Sequence, residues 1–153
     1  MCWIFALPEG RSESRLWGRI LQTSNNPKDV LARTLWGEAR GEGIEGMVAV
    51  ANVVMNRVKA NRWANDIIGV IMQPKQFSVW NLGDPNRPLM QRVTERDKQF
   101  RQALEIADRA LSDDLDDITN GADHYHTRAV SPRWSRGQTP VARIGRHVFF
   151  RLG

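Results

Sequence analysis

The chain has 153 residues, with 22 Lys and Arg against 17 Asp and Glu and a formal net charge of +5 at pH 7. That length supports one domain with a sizeable core, and 41% hydrophobic with 25% charged residues is ordinary globular usage that excludes disordered, collagenous and coiled-coil classes. No apolar run approaches the ~20 residues of a bilayer span, the single cysteine excludes internal disulfides and Cys-rich zinc modules, and the basic balance leaves nucleic acid, anionic membrane surfaces and anionic polymers as partner classes.

The apolar start, Cys2 to Leu7, lacks a basic flank and stops at Pro8, so it does not read as a secretory leader. Arg11, Arg15 and Arg19 recur every four residues, with Leu16, Trp17, Ile20 and Leu21 on another side. That predicts a basic amphipathic helix lying on the core, though its charged face also suits a membrane or an anionic polymer. Thr23 to Pro27 is a loop, after which Asn26 or Asp29 can cap a helix carrying Leu31, Leu35 and Glu38 at i, i+4 and i+7. Gly41-Glu42-Gly43 interrupts that helix. A second, central helix runs from about Ile44 to Lys59, with Met47, Val48, Ala51, Val54, Met55 and Val58 as its main apolar stripe. Asn52 and Asn56 lie on it one turn apart, and buried amides there need partners or substrate.

Asn65-Asp66 can cap a short helix through Met72, which Pro74 helps to end. Lys75 to Pro88 reads as a surface loop that nevertheless carries Phe77 and Trp80. Thr94-Glu95-Arg96-Asp97 resembles a capping box, opening a helix whose Phe100, Ala103, Leu104, Ala107 and Leu111 face the core. Asp113 to Asp117 is an acidic connector and Asn120-Gly121 a turn. Asp123 to Val130 reads as one strand, and Val141 to Leu152 ends in a second. No repeat and no linker divides the chain.

Among these positions Glu38 stands out. A carboxyl on an apolar helix face beside a turn is partly desolvated, which favours its protonated form and suits a general acid acting on a glycosidic oxygen. Glu42 and Glu45 follow closely and offer a possible second carboxylate, although position alone reads all three equally well as solvated helix-end glutamates.

Glu38-Ala39-Arg40-Gly41-Glu42-Gly43, then Glu45 to Val58, resembles the signature of the SleB-like cell-wall hydrolases, the family of spore-cortex-lytic enzymes and related lysins. The resemblance continues through Ile68 to Ile71, Gln76-Phe77-Ser78-Val79-Trp80, Asn120-Gly121-Ala122, Trp134 and Ile144 to Phe149, and so covers nearly everything from Asp29 onward. It implies an α+β, mainly α, lysozyme-like and lytic-transglycosylase-like single domain with a small two- or three-stranded sheet. Residues 29–153 would be the catalytic domain and 1–28 an N-terminal segment. It further implies cleavage of peptidoglycan between N-acetylmuramic acid and N-acetylglucosamine, with Glu38 as the family's catalytic glutamate. One carboxylate suffices for a lytic transglycosylase, whereas hydrolytic glycosidases usually use two; Glu42 is the possible second.

Phe77 and Trp80 suit stacking on pyranose rings, or equally a fold-back onto the core. Asn56, Tyr125 and His126 can supply hydrogen bonds to substrate, or to the protein itself. Two other readings compete. His124 and His126 point to one side of a strand and, with His147 on the next, can form a zinc site for an amidase or endopeptidase. A non-catalytic basic binding module is the other, although no nucleic-acid motif is present. The expectation is therefore a monomeric muramidase-type enzyme without cofactor or metal. It would act on a peptidoglycan polymer in the periplasm or outside the cell, held in the cytoplasm until release in the manner of a phage lysin, with no specific nucleic-acid partner and no membrane span.

Overall fold

The computed structural model describes residues 25–153; the basic helix expected around Arg11 to Leu21 lies outside them. The first described helix, α1 (Pro27–Ala39), starts where Asn26 accepts a hydrogen bond from the Lys28 N–H with Pro27 in the first turn, so of the two cap candidates Asn26 is the one used. A 3-10 turn over Arg40–Glu42 follows, and Gly43 at φ +70° redirects the chain into α2 (Gly43–Lys59). Met47, Ala49, Val50, Ala51, Val53 and Val54 of α2 are all fully buried, as expected of a helix without a polar stripe.

Helix α3 (Ile67–Met72) is capped by Asp66, which accepts from the Gly69 N–H at 2.8 Å. The segment expected to be loop contains a 3-10 turn, Ser78–Trp80, and a short helix α4 (Arg87–Arg92) that buries Met90. Its six residues give too little periodicity to show through the Gly83-Asp84-Pro85-Asn86 turn signal. Helix α5 (Lys98–Leu111) begins three residues later than the Thr94 capping box implied. Asp97 is its N-cap, accepting from the Phe100 N–H at 2.8 Å, while the Thr94 hydroxyl accepts from the Arg96 N–H and its carbonyl from the Asp97 N–H. Phe100, Ala103 and Ala107 are buried as expected, with Ile106 and Ala110 beside them, whereas Leu111 at the helix end is 44% exposed.

Helices α1, α2 and α5 pack around one core built from Leu31, Leu35, Val50, Val54, Phe100 and Ala103. Beside it stands a three-stranded antiparallel sheet of β1 (His124–Thr127), β2 (Ala142–Ile144) and β3 (His147–Phe150), in the order β1-β3-β2. The expected C-terminal strand is thus a hairpin. Gly145 at φ +56° followed by Arg146 without positive φ is the pattern of a type II′ two-residue loop. The α+β, mainly helical expectation holds.

Register decides which strand residues can meet. Tyr125 pairs with Phe149 and Thr127 with His147, so these four share one side of the sheet; His124, His126, Val148 and Phe150 share the other. The acidic connector is tied to α2 by Asn52, which donates to the Asp116 carbonyl at 3.1 Å and accepts from the Ile118 N–H at 3.0 Å.

Candidate active site

Glu38 lies in the last turn of α1, half-buried, at the junction of helix, 3-10 turn and sheet. One carboxylate oxygen accepts from the Val79 N–H at 2.9 Å and from the Ser78 hydroxyl at 3.3 Å; the other accepts from the Tyr125 hydroxyl at 3.2 Å. The apolar surround inferred from the helix face therefore also contains three donors drawn from distant segments. The approach of the 78–80 turn depends on Gly37, since a Cβ there would overlap the Val79 side chain. Ser78, the Val79 N–H and Gly37 were not singled out from sequence, although Ser78 and Val79 sit inside a recognised motif.

Glu42 has a different surround. Its side chain is 9% exposed, and it accepts from the Arg146 N–H at 2.8 Å and from the Arg146 Nε at 2.6 Å. Burial alone would raise its pKa, but the Arg146 backbone and guanidinium outweigh that and hold it below the ordinary value. Gly145 is required here as well, because a Cβ would run into the Glu42 carboxylate. A carboxylate so engaged fastens the β2–β3 hairpin to the turn after α1. Glu45 is exposed in the first turn of α2.

On the Tyr125 side of the sheet the His147 ring stands edge-on to the Tyr125 ring, centroids 5.2 Å apart. His147 Nδ1 and Thr127 Oγ1, on directly paired residues, are both buried without a hydrogen-bond partner among the described residues. Unsatisfied buried polar atoms are rare and concentrate at functional sites. Burial above all pushes the His147 pKa down against the pull of Glu42 and Glu38.

The remaining expected site residues do other work. Phe77 is 1% and Trp80 5% exposed, and the Trp80 indole N–H donates to Thr34 Oγ1 at 2.9 Å. Neither ring offers a platform for a sugar; both took the fold-back route because water would otherwise cover their apolar area. Asn56 donates to Asp117 Oδ2 at 3.0 Å and to the Ala122 carbonyl at 2.9 Å, so its amide closes the 113–122 loop. His126 faces away from Glu38, its Nδ1 2.8 Å from the Thr127 carbonyl and its ring against Trp134 and Phe150. The three-histidine zinc reading fails on register, because His147 is on the opposite side of the sheet from His124 and His126. Among the described residues no group of three or more His, Cys, Asp or Glu is placed to hold a metal.

The titratable groups fix a pH dependence of stability. Hydrogen bonds outweigh burial at Glu42, Asp117 and Asp123 and lower all three carboxylates. Their contribution is present above the ordinary carboxylate range and is lost as pH falls through the folded values. His124 and His147 are lowered chiefly by burial, so below about 6.5, their ordinary value, the unfolded chain takes up protons that the folded chain refuses. Stability should fall with pH in two stages, one starting near 6.5 and one near 4. Calorimetric Tm followed from about pH 8 to pH 3 tests this, and a flat profile would contradict it.

Residues 41–150 match the family model described as Cell Wall Hydrolase. The spore cortex-lytic enzyme of Bacillus subtilis (strain 168) is 34% identical over 130 residues, covering 82% of this chain and 38% of that protein. The spore cortex-lytic enzyme of Halalkalibacterium halodurans is 32% identical over 131 residues, covering 82% of this chain and 35% of that protein. The chain therefore spans little more than a third of the length of these curated relatives. Among solved structures, the catalytic domain of the germination-specific lytic transglycosylase SleB from Bacillus anthracis superposes with a TM-score of 0.65 at 27% identity, covering 84% of this chain and 96% of that one. The catalytic domain of the Bacillus cereus SleB protein gives 0.64 at 26%, covering 84% and 91%.

Proposed function

Because the chain belongs to the Cell Wall Hydrolase family, we propose that residues 29–153 form a peptidoglycan-cleaving domain that acts as a lytic transglycosylase, with Glu38 as its single acid and base. The observation that carries this is the contrast between two neighbouring carboxylates. Half-buried Glu38 accepts from three neutral donors, the Ser78 hydroxyl, the Val79 N–H and the Tyr125 hydroxyl, whereas Glu42 is engaged by the backbone and guanidinium of Arg146.

Protonated Glu38 gives its proton to the oxygen linking N-acetylmuramic acid to N-acetylglucosamine. The bond from the anomeric carbon to that oxygen breaks, and its electron pair leaves with the oxygen. The Glu38 carboxylate then takes the proton of the muramic 6-hydroxyl, whose oxygen bonds to the anomeric carbon. Glu38 ends protonated, no water is consumed, and the product is a 1,6-anhydro sugar. The Val79 N–H, Ser78 and Tyr125 aim the carboxylate through both transfers, and Tyr125, both donor and acceptor, can follow either protonation state. The active species on this reading is a monomer working on the bacterial wall outside the cytoplasm.

Two other readings lose ground. A zinc amidase needs the histidine cluster that the register separates, and a pure binding module is at odds with a family of degrading enzymes. Mass spectrometry of digested peptidoglycan decides the reaction type. Anhydro-muramic ends are expected, and fragments ending only in reducing muramic acid would refute transglycosylation.

A further inference from the structure

The net charge of the chain is not evenly distributed. Residues 124–153, which hold the whole sheet, contain six arginines and no Lys, Asp or Glu, whereas residues 1–123 carry 16 basic and 17 acidic side chains. All six arginines (128, 133, 136, 143, 146 and 151) are exposed. Arg146 is paired with Glu42; the other five have no carboxylate partner among the described residues. Exposed cations left without counter-charges on one lobe are an electrostatic surface rather than a structural network.

The same lobe presents aromatic rings on the side of the sheet turned away from Glu38. Trp134, half-buried in a 3-10 turn, lies across the strands with its ring 5.2 Å from His124, 5.5 Å from His126 and 5.4 Å from Phe150. Trp63 extends the row, 5.9 Å from His124. Arg143 pairs with Val148 and so shares this side, while Arg133 and Arg136 flank Trp134 in sequence. At the hairpin tip, Arg146 reaches Glu42 in the turn after α1.

From this we infer that the outer side of the sheet is a holding surface for the intact wall polymer, in which the guanidinium groups of Arg133, Arg136 and Arg143 take carboxylates of the peptidoglycan stem peptides while Trp134 packs on the glycan. Guanidinium matches carboxylate in bidentate geometry, and an amphipathic aromatic gives sugar a flat contact at small entropic cost. Nucleic acid would need the same charges, and it is the match to the Cell Wall Hydrolase family that favours the wall polymer; duplex DNA is the competitor in the test. The inference rests on the peptidoglycan reading for its partner, yet it concerns a surface that does no chemistry.

The test uses the full chain with Glu38→Gln, so that binding is read without turnover, on sacculi freed of attached phosphate polymers. Adding Arg133→Gln, Arg136→Gln and Arg143→Gln should weaken co-sedimentation roughly tenfold at low ionic strength and remove most of its salt dependence. Amidating the sacculus carboxyl groups should lower binding of the parent protein to the same level. The Arg-to-Glu triple should be weaker still, and unchanged thermal melting guards against misfolding. With Glu38 restored, the Gln triple should cut glycan fragments stripped of stem peptides within about twofold of the parent rate, while sacculi are cleared several-fold more slowly. Undiminished binding by the triple, indifference to amidation, or tighter binding of duplex DNA than of sacculi at equal salt would each overturn the inference. Persistent activity of the Glu38→Gln protein would instead strike at the catalytic assignment, leaving the binding result to stand by itself.

Discussion

Glu38→Gln is expected to lower the rate of peptidoglycan clearing by about 10³-fold or more while leaving the fold intact. General acid–base catalysis by one group typically contributes 10²–10⁴-fold, and on the proposed mechanism the same group serves in both proton transfers, so the upper part of that range applies. The substitution keeps most of the geometry. A glutamine oxygen still accepts from the Val79 N–H and Ser78 hydroxyl, and its amide can donate to the Tyr125 oxygen in place of the bond now made by Tyr125. Stability should therefore change by less than about 1 kcal/mol, which separates lost chemistry from lost structure. Zymography of the two proteins side by side, with melting curves on the same preparations, gives both readings. Retention of more than a tenth of the parent activity would remove Glu38 from its proposed role.

How far the sequence reaches depends on how far apart the interacting residues are. Asn26, Pro27 and the Gly41-Glu42-Gly43 break act within a turn or two, and the helices they delimit were legible to within a residue or so. The candidate site assembles at long range: Tyr125 reaches Glu38 across 87 positions and Arg146 reaches Glu42 across 104. No local rule could show that Glu42 would meet a guanidinium and Glu38 a backbone N–H and two hydroxyls. Phe77 and Trp80 illustrate the same limit. Aromatic residues in a turn-rich segment read equally as exposed platforms or buried anchors, and the outcome was set by Thr34, 46 positions away, which supplies the partner for the Trp80 indole. His147 was visible only as a possible metal ligand, because its side of the sheet depends on a hairpin loop that places it opposite Thr127. The motif resemblance pointed to Glu38 where periodicity alone left the choice open.

The sharpest structural prediction concerns a glycine one residue before that glutamate. Helix propensity says Gly37→Ala should stabilise α1 by about 0.5–1 kcal/mol. Packing says the opposite, because the added carbon would overlap one Val79 methyl group and its Cβ and crowd the other methyl. Val79 cannot rotate out of the way: it is β-branched and stiff at χ1, and it is 1% exposed, so every other rotamer meets core. The 78–80 turn must then move as a body, against the anchors of buried Phe77 and of the Trp80–Thr34 hydrogen bond. Overpacking of this kind costs about 1–3 kcal/mol, so packing should win and the variant should be destabilised by about 1–2 kcal/mol. The greater effect should be on rate. Moving the turn withdraws the Val79 N–H and Ser78 hydroxyl from Glu38, and a misplacement near 1 Å can cost about 10²-fold. Gly41→Ala is the matched control, since its added carbon meets nothing closer than Arg146 Nη2 at 3.5 Å. It should leave both stability and activity nearly unchanged. If Gly37→Ala proves as stable and as active as Gly41→Ala, then Val79 does not press on the helix, and the turn that holds Glu38 is not positioned by the absence of a side chain at residue 37.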